Sequence, residues 1–126
     1  ERICSTTKIL VDFLADHPKV ERVYFPFHKS FPQYELAKKQ MKDAGGLFSI
    51  ALKARSVDEI ELFCNSLKRF FMAVSWGGHE SLVIPSIVGF AKEKFDALNI
   101  NHRIIRFYVG LEEPDYLLED LKQGLG

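Results

Sequence analysis

The chain has 126 residues, 47% hydrophobic and 11 of them Phe, enough for one compact domain with a real core and too few for two ordinary ones. Its 17 basic and 17 acidic residues cancel and are spread along the chain, so charge recommends neither nucleic acid nor an anionic membrane as partner. No apolar run approaches membrane-spanning length and the start, Glu1-Arg2-Ile3-Cys4, does not read as a signal peptide, so a cytoplasmic protein is expected.

Cys4 and Cys64 stand far apart in helix-like contexts and read as two reduced thiols. His17, His28, His79 and His102 fall at no metal-ligand spacing, and no metal site is expected.

Ile9, Leu10, Phe13 and Leu14 recur at helical spacing and predict a helix over about Ser5–Ala15, closed by His17-Pro18. Its short run-up suggests the tail of a longer helix. Arg22 to Phe25 reads as a short strand, Phe27 to Phe31 as a loop, and Pro32 is placed to open a helix running to about Met41. After Gly45-Gly46, Leu47 to Lys53 alternates as a strand, with Phe48, Ile50 and Leu52 on one face and Ser49, Ala51 and Lys53 on the other. Ser56-Val57-Asp58-Glu59 is a capping box. Behind it Val57, Ile60, Phe63, Cys64 and Leu67 form the buried stripe of a helix.

Two strands, about Phe71–Val74 and Ser81–Ile84, are joined through the Gly77-Gly78 turn. Ser86 to Ala97 reads as a helix weakened by Gly89, and Asn99 to His102 as a polar link. Arg103 to Val109 is the clearest strand, placing Ile105, Phe107 and Val109 on one face and Ile104, Arg106 and Tyr108 on the other. Pro114-Asp115 starts a last helix with Leu117, Leu118, Leu121 and Leu125 inward. Mixed elements with some short links predict an α+β, two-layer fold, a small and mainly antiparallel sheet with helices packed against it.

The chemistry-bearing stretch is Ser75-Trp76-Gly77-Gly78-His79-Glu80-Ser81-Leu82, answered by Arg106-Phe107-Tyr108-Val109-Gly110-Leu111-Glu112. A hydroxyl, an indole N–H and backbone donors at one sheet end suit a carboxylate, and an Arg from a neighbouring strand would grip it in bidentate fashion. Taken alone, the same residues also suit plain structural roles: a strand Arg in solvent, a turn Ser, a core Trp.

Ser75-Trp76-Gly77-Gly78 with Glu80-Ser81-Leu82, then Arg106 with Val109-Gly110-Leu111-Glu112, resembles the C-terminal part of the Cys/Met-metabolism enzymes. These form the pyridoxal-phosphate (PLP) family of cystathionine γ-synthase, the cystathionine lyases and methionine γ-lyase. The likeness extends through His17-Pro18, Tyr34-Glu35-Leu36-Ala37, Gln40-Met41, Gly45-Gly46 and Asn65-Ser66-Leu67-Lys68. It implies the same α+β architecture, that Arg106 holds the substrate α-carboxylate, and that Ser75 and Trp76 shape the pocket beside it. Trp76 resembles the cystathionine β-lyase version. His79 marks a divergent branch rather than a catalytic base, and Tyr108 reads equally as a wall or a proton donor. After Pro85, Ser86-Ile87-Val88-Gly89-Phe90 departs from the usual pattern.

PLP chemistry needs a cofactor-bearing lysine, a phosphate-binding loop and an acidic partner for the pyridine nitrogen. Lys53 and Lys68 lie in no matching context. The resemblance implies that the catalytic lysine and the PLP site lie in a large domain N-terminal to this one. Residues 1–126 are then a single substrate-side C-terminal domain, inactive alone, whose partners are a sulfur amino-acid substrate, its own PLP domain and, in the parent enzyme, the other subunits of a homotetramer. A non-enzymatic α+β module that binds an amino acid or a partner protein is the alternative that composition and pattern equally permit.

Overall fold

In a computed structural model, residues 1–74 and 77–126 are described. Helix α1 (Arg2–Ala15) is followed by strand β1 (Val20–Tyr24), helix α2 (Tyr34–Gln40), strand β2 (Leu47–Leu52) and helix α3 (Val57–Ser66). Strands β3 (Phe71–Met72), β4 (Leu82–Pro85) and β5 (Ile104–Tyr108) lead to helix α4 (Pro114–Leu125). The strands lie in the order β1-β2-β5-β4-β3, so the last strand in sequence occupies the middle. β5 pairs antiparallel with β2 and with β4, and β1 antiparallel with β2. The expected α+β class with a mainly antiparallel sheet is borne out.

Helices α1, α3 and α4 bury apolar stripes against the sheet, although Ile9, expected in the α1 stripe, is exposed. In α3, Val57, Ile60, Phe63 and Cys64 are all buried. Its start is the capping box read from the sequence: the Ser56 hydroxyl accepts the Glu59 N–H at 3.3 Å. Glu59 reaches one residue further back than a standard box, accepting from Arg55 N–H at 2.7 Å. Leu10, Val11 and Leu14 of α1 and Leu117, Leu121 and Leu125 of α4 join the same core. The sheet supplies Phe48, Ile50, Val83, Ile105 and Phe107 to it. Phe107 is the centre of this packing, stacked on Phe48 at 5.0 Å and met edge-on by Phe70 at 5.2 Å and Phe63 at 6.4 Å, geometries that aromatic quadrupoles favour.

One carboxylate sits within this dry side. Asp120 on α4 is buried and accepts from Lys68 N–H, Arg69 N–H and the Gln123 side-chain amide. It fastens α4 to the chain leaving α3, and its lone pairs are spent on donors that would otherwise need water.

Three expectations are corrected. No α-helix forms over Ser86–Ala97. The chain turns there, with Gly89 at φ +77°, and makes only a short 3-10 turn at Lys92–Lys94. Ser86 N–H is taken by Ile104 O at 2.9 Å and its hydroxyl by Asn101 O at 2.8 Å, which commits the segment's start to the sheet rather than to a helix. Ile87 is buried but Val88 and Phe90 are exposed, so there is no apolar stripe to drive a helix against the core.

Second, the strands flanking Gly77-Gly78 are neighbours but run parallel, Phe71 opposite Leu82 and Met72 opposite Val83. β4 therefore begins beside the starting end of β3, and β3 shrinks to two residues at the sheet edge. Third, α2 opens at Tyr34 after Gln33. Pro32 lies in the preceding turn, which Phe31 O closes by accepting Tyr34 N–H at 3.0 Å.

Candidate functional site

The sheet face turned away from α1, α3 and α4 carries Ile104, Arg106 and Tyr108 of β5. Arg106 lies between Ser49 of β2 and Ile84 of β4, and Tyr108 between Leu47 and Leu82. Strand alternation alone puts these side chains on one face, since successive residues point to opposite sides.

Arg106 is half-buried. Its Nη2 donates to Val74 O at 2.5 Å. Among the described residues no carboxylate pairs with it. A guanidinium has five N–H donors in a planar fork, so the bond to Val74 fixes one corner and leaves donors for a planar anion. The other arginine of this segment is a useful contrast. Arg103 is only 7% exposed and donates to Glu21 Oε1 at 2.8 Å and Leu52 O at 3.1 Å. Arg103 has its anion within the fold.

Tyr108 is buried and its hydroxyl donates to Gly78 O at 2.9 Å. The ring also lines a cleft of about 440 Å³ with Ile3, Cys4, Gly46, Leu47 and Gly77. Arg106 and Tyr108 therefore bond to main-chain carbonyls on either side of Ser75 and Trp76. Those two residues, expected from sequence to flank the substrate, lie outside the described residues.

The way out of this loop is held more tightly still. Ser81 is wholly buried. Its N–H and hydroxyl donate to the two oxygens of Glu112 at 3.0 and 2.8 Å, and its hydroxyl accepts Gly110 N–H at 2.9 Å. Leu111 N–H donates to His79 O at 2.9 Å. A Cβ on Gly110 would come within 2.2 Å of that same His79 oxygen, closer than any side chain can sit, so this approach requires glycine. Ser81, Gly110 and Glu112 were quoted above only as motif. Their joint role as a latch between the loop and the end of β5 had no local sequence signal.

The remaining candidates fall away from Arg106. The His79 side chain is largely exposed and, among the described residues, its polar contact is with Glu80 at 3.5 Å. Lys68 is exposed, its N–H bound to Asp120. Lys53 lies past the end of β2, where its N–H meets Lys19 O. It lines a cleft of about 390 Å³ with Lys19, Arg55 and Leu125, to which neither Arg106 nor Tyr108 contributes. Both cysteines are buried and free, and burial pushes the Cys64 thiol up to about 12. No group of three or more His, Cys, Asp or Glu side chains that could hold a metal is gathered among the described residues. No helix among them is long and apolar enough to cross a membrane.

The chain is thus an α+β domain with a half-buried arginine on the open face of its central strand. Comparison with known proteins gives the family. Residues 1–126 match the model of the Cys/Met metabolism PLP-dependent enzymes throughout, and the chain belongs to that family. It is 40% identical to the L-methionine gamma-lyase of Fusobacterium nucleatum, over 99% of this chain and 32% of that enzyme. It is 41% identical to the cystathionine gamma-lyase of Dictyostelium discoideum (92% of this chain, 31% of the enzyme). The figure is 42% for the cystathionine gamma-lyase of Macaca fascicularis (92% and 29%). The chain thus spans about a third of the length of the curated relatives it matches. The resemblance read from the motifs is borne out.

Proposed function

We propose that these residues form the substrate-side C-terminal domain of a PLP-dependent transsulfuration-type enzyme acting on a sulfur amino acid, and that they supply its α-carboxylate site. One observation carries the reading: Arg106 stands half-buried on the open face of the central strand, with a carbonyl at one corner of its fork and no carboxylate partner among the described residues. An arginine placed so is suited to bidentate capture of a carboxylate. Ser75 and Trp76 complete the pocket wall in this reading. Fixing the carboxylate orients the rest of the substrate, which is catalysis by positioning.

The described residues do not fit the cofactor itself. Neither Lys53 nor Lys68 lies beside Arg106, and nothing here gathers a lysine, a phosphate loop and an acidic partner in one place. PLP and its lysine therefore belong, in this reading, to a large domain preceding this one. Edge strand β3 exposes Phe71 and Met72, with exposed Val74 just beyond. Apolar surface of this kind is suited to being covered by another domain or subunit, in keeping with a homotetrameric parent. Residues 1–126 alone are then inactive.

Trp76 is what favours a cystathionine β-lyase-like choice of bond, whereas the relatives above are named γ-lyases. Products separate the two: with water taken up and ammonia released in each case, β-elimination of cystathionine leaves homocysteine and pyruvate, γ-elimination cysteine and 2-oxobutyrate. The test begins with the visible spectrum of protein made from the complete reading frame. A yellow protein whose band shifts with cystathionine supports the reading, and Arg106→Ala should then raise KM roughly 10- to 100-fold, the worth of a charge-assisted pair. A colourless protein with PLP supplied sinks it.

A further inference from the structure

Val74 and Gly78 are held by two side chains from the same face of one strand. Arg106 donates to the first and Tyr108 to the second, at 2.5 and 2.9 Å. We propose that Tyr108 is a positioning residue for the carboxylate site, acting through its hydroxyl bond to the Gly78 carbonyl. This rests on the proposed role of Arg106 and names a further residue on which that role depends.

The argument is one of register. Residues two apart on a strand face the same way about 7 Å apart, so Arg106 and Tyr108 reach different points of the same passing chain. The Val74 end is set by the edge of the sheet, where Ala73 N–H donates to Val83 O at 3.2 Å. The Gly78 end takes its place from a tether on the rigid central strand. Tyr108 is well suited to it, because its ring is buried and packed against Gly46, where an added Cβ would lie 3.1 Å from the ring. The hydroxyl is therefore aimed, not free to swing. Beyond Gly78 the loop exit is held by the bond of Leu111 N–H to His79 O and by the Ser81–Glu112 latch, so among the described residues the Tyr108 bond is the first tether after Val74. Its effect should fall on binding of the carboxylate rather than on the fold.

The test is Tyr108→Phe in the full-length protein, which removes the hydroxyl and keeps the ring. KM for the amino-acid substrate should rise about two- to tenfold, the range for one hydrogen bond, with kcat nearly unchanged, as expected when uniform binding is lost. A second readout separates positioning from mere structure. An unreactive substrate analogue with a free carboxylate should bind Y108F more weakly by the same factor, while the corresponding carboxamide should bind both proteins alike. Equal weakening of acid and amide, or unchanged KM and analogue binding, overturns the proposal. Arg106→Ala measured alongside tells the two readings apart. If it weakens the acid and Y108F does not, only Tyr108's role falls; if neither does, the carboxylate reading falls with it.

Discussion

β5 separates two surfaces of opposite kind within five residues. Toward the helices, Ile105 and Phe107 have no exposed area, and Phe107 touches three other aromatic rings. Toward the open side, Arg106 and Tyr108 each spend a polar group on a main-chain carbonyl, and Glu112 beyond the strand holds Ser81. The first surface owes its stability to volume filled without water; the second owes its shape to a few directed bonds. They should therefore fail differently: truncation on the dry side should lower stability in proportion to the space left, and truncation on the open side should misplace a loop while the fold survives.

The largest expected effect is on the dry side. Phe107→Ala removes the ring on which Phe48, Phe63 and Phe70 converge, and about 3–5 kcal/mol of unfolding free energy should go with it. Urea titration of the full-length protein measures this, with Phe107→Leu as a milder variant in case the alanine form does not fold. A loss below about 1 kcal/mol would mean that the core is held elsewhere, and the contrast between the faces would collapse.

Glu112→Ala should cost less. It leaves the buried Ser81 N–H and hydroxyl without their acceptor, and about 1–3 kcal/mol is the usual penalty for such a loss. The distinguishing sign is where the damage appears. Amide exchange should quicken in residues 77–82 and 110–112 while Ile105 and Phe107 stay protected, because local openings need not involve the core. Uniform loss of protection would show that the latch belongs to the core after all.

This division also explains what the sequence made legible. The alternation of residues 103–109, the stripe of α3 and its capping box are local patterns, and each appears where its period puts it. Arg106 was legible for the same reason, aided by a motif. Strand direction leaves no local trace, so the parallel pairing of β3 with β4 was not legible. Nor was the irregular path of residues 86–97, which follows from bonds that Ser86 makes to residues 101 and 104 across the sheet. The contacts that shape the site fare worst. Val74 O and Gly78 O are backbone atoms without a side-chain signature, and Ser81 meets Glu112 across 31 positions.

The smallest effect tests how dry the helical side is. Cys64 lies in the buried stripe of α3, and burial raises its thiol from 9.0 to about 12, because the apolar surroundings disfavour the thiolate. An unfolded chain ionises this group above pH 9, whereas the folded one keeps its proton. The contribution is thus intact below pH 9 and declines as pH climbs toward 12. One unit into that window, at pH 10, the loss is on the order of 1 kcal/mol. Comparing urea midpoints at pH 8 and pH 10 for the natural protein and Cys64→Ala isolates it, since the other titrating groups are shared: the alanine variant should show the shallower decline. Alkylation at pH 8, followed by peptide mapping to tell Cys64 from Cys4, gives an independent reading. Cys64 should resist the reagent in the folded protein and react readily in urea. Equal rates in the two states would mean that water reaches the inner face of α3, and that the helical side is not the dry partner of the open face.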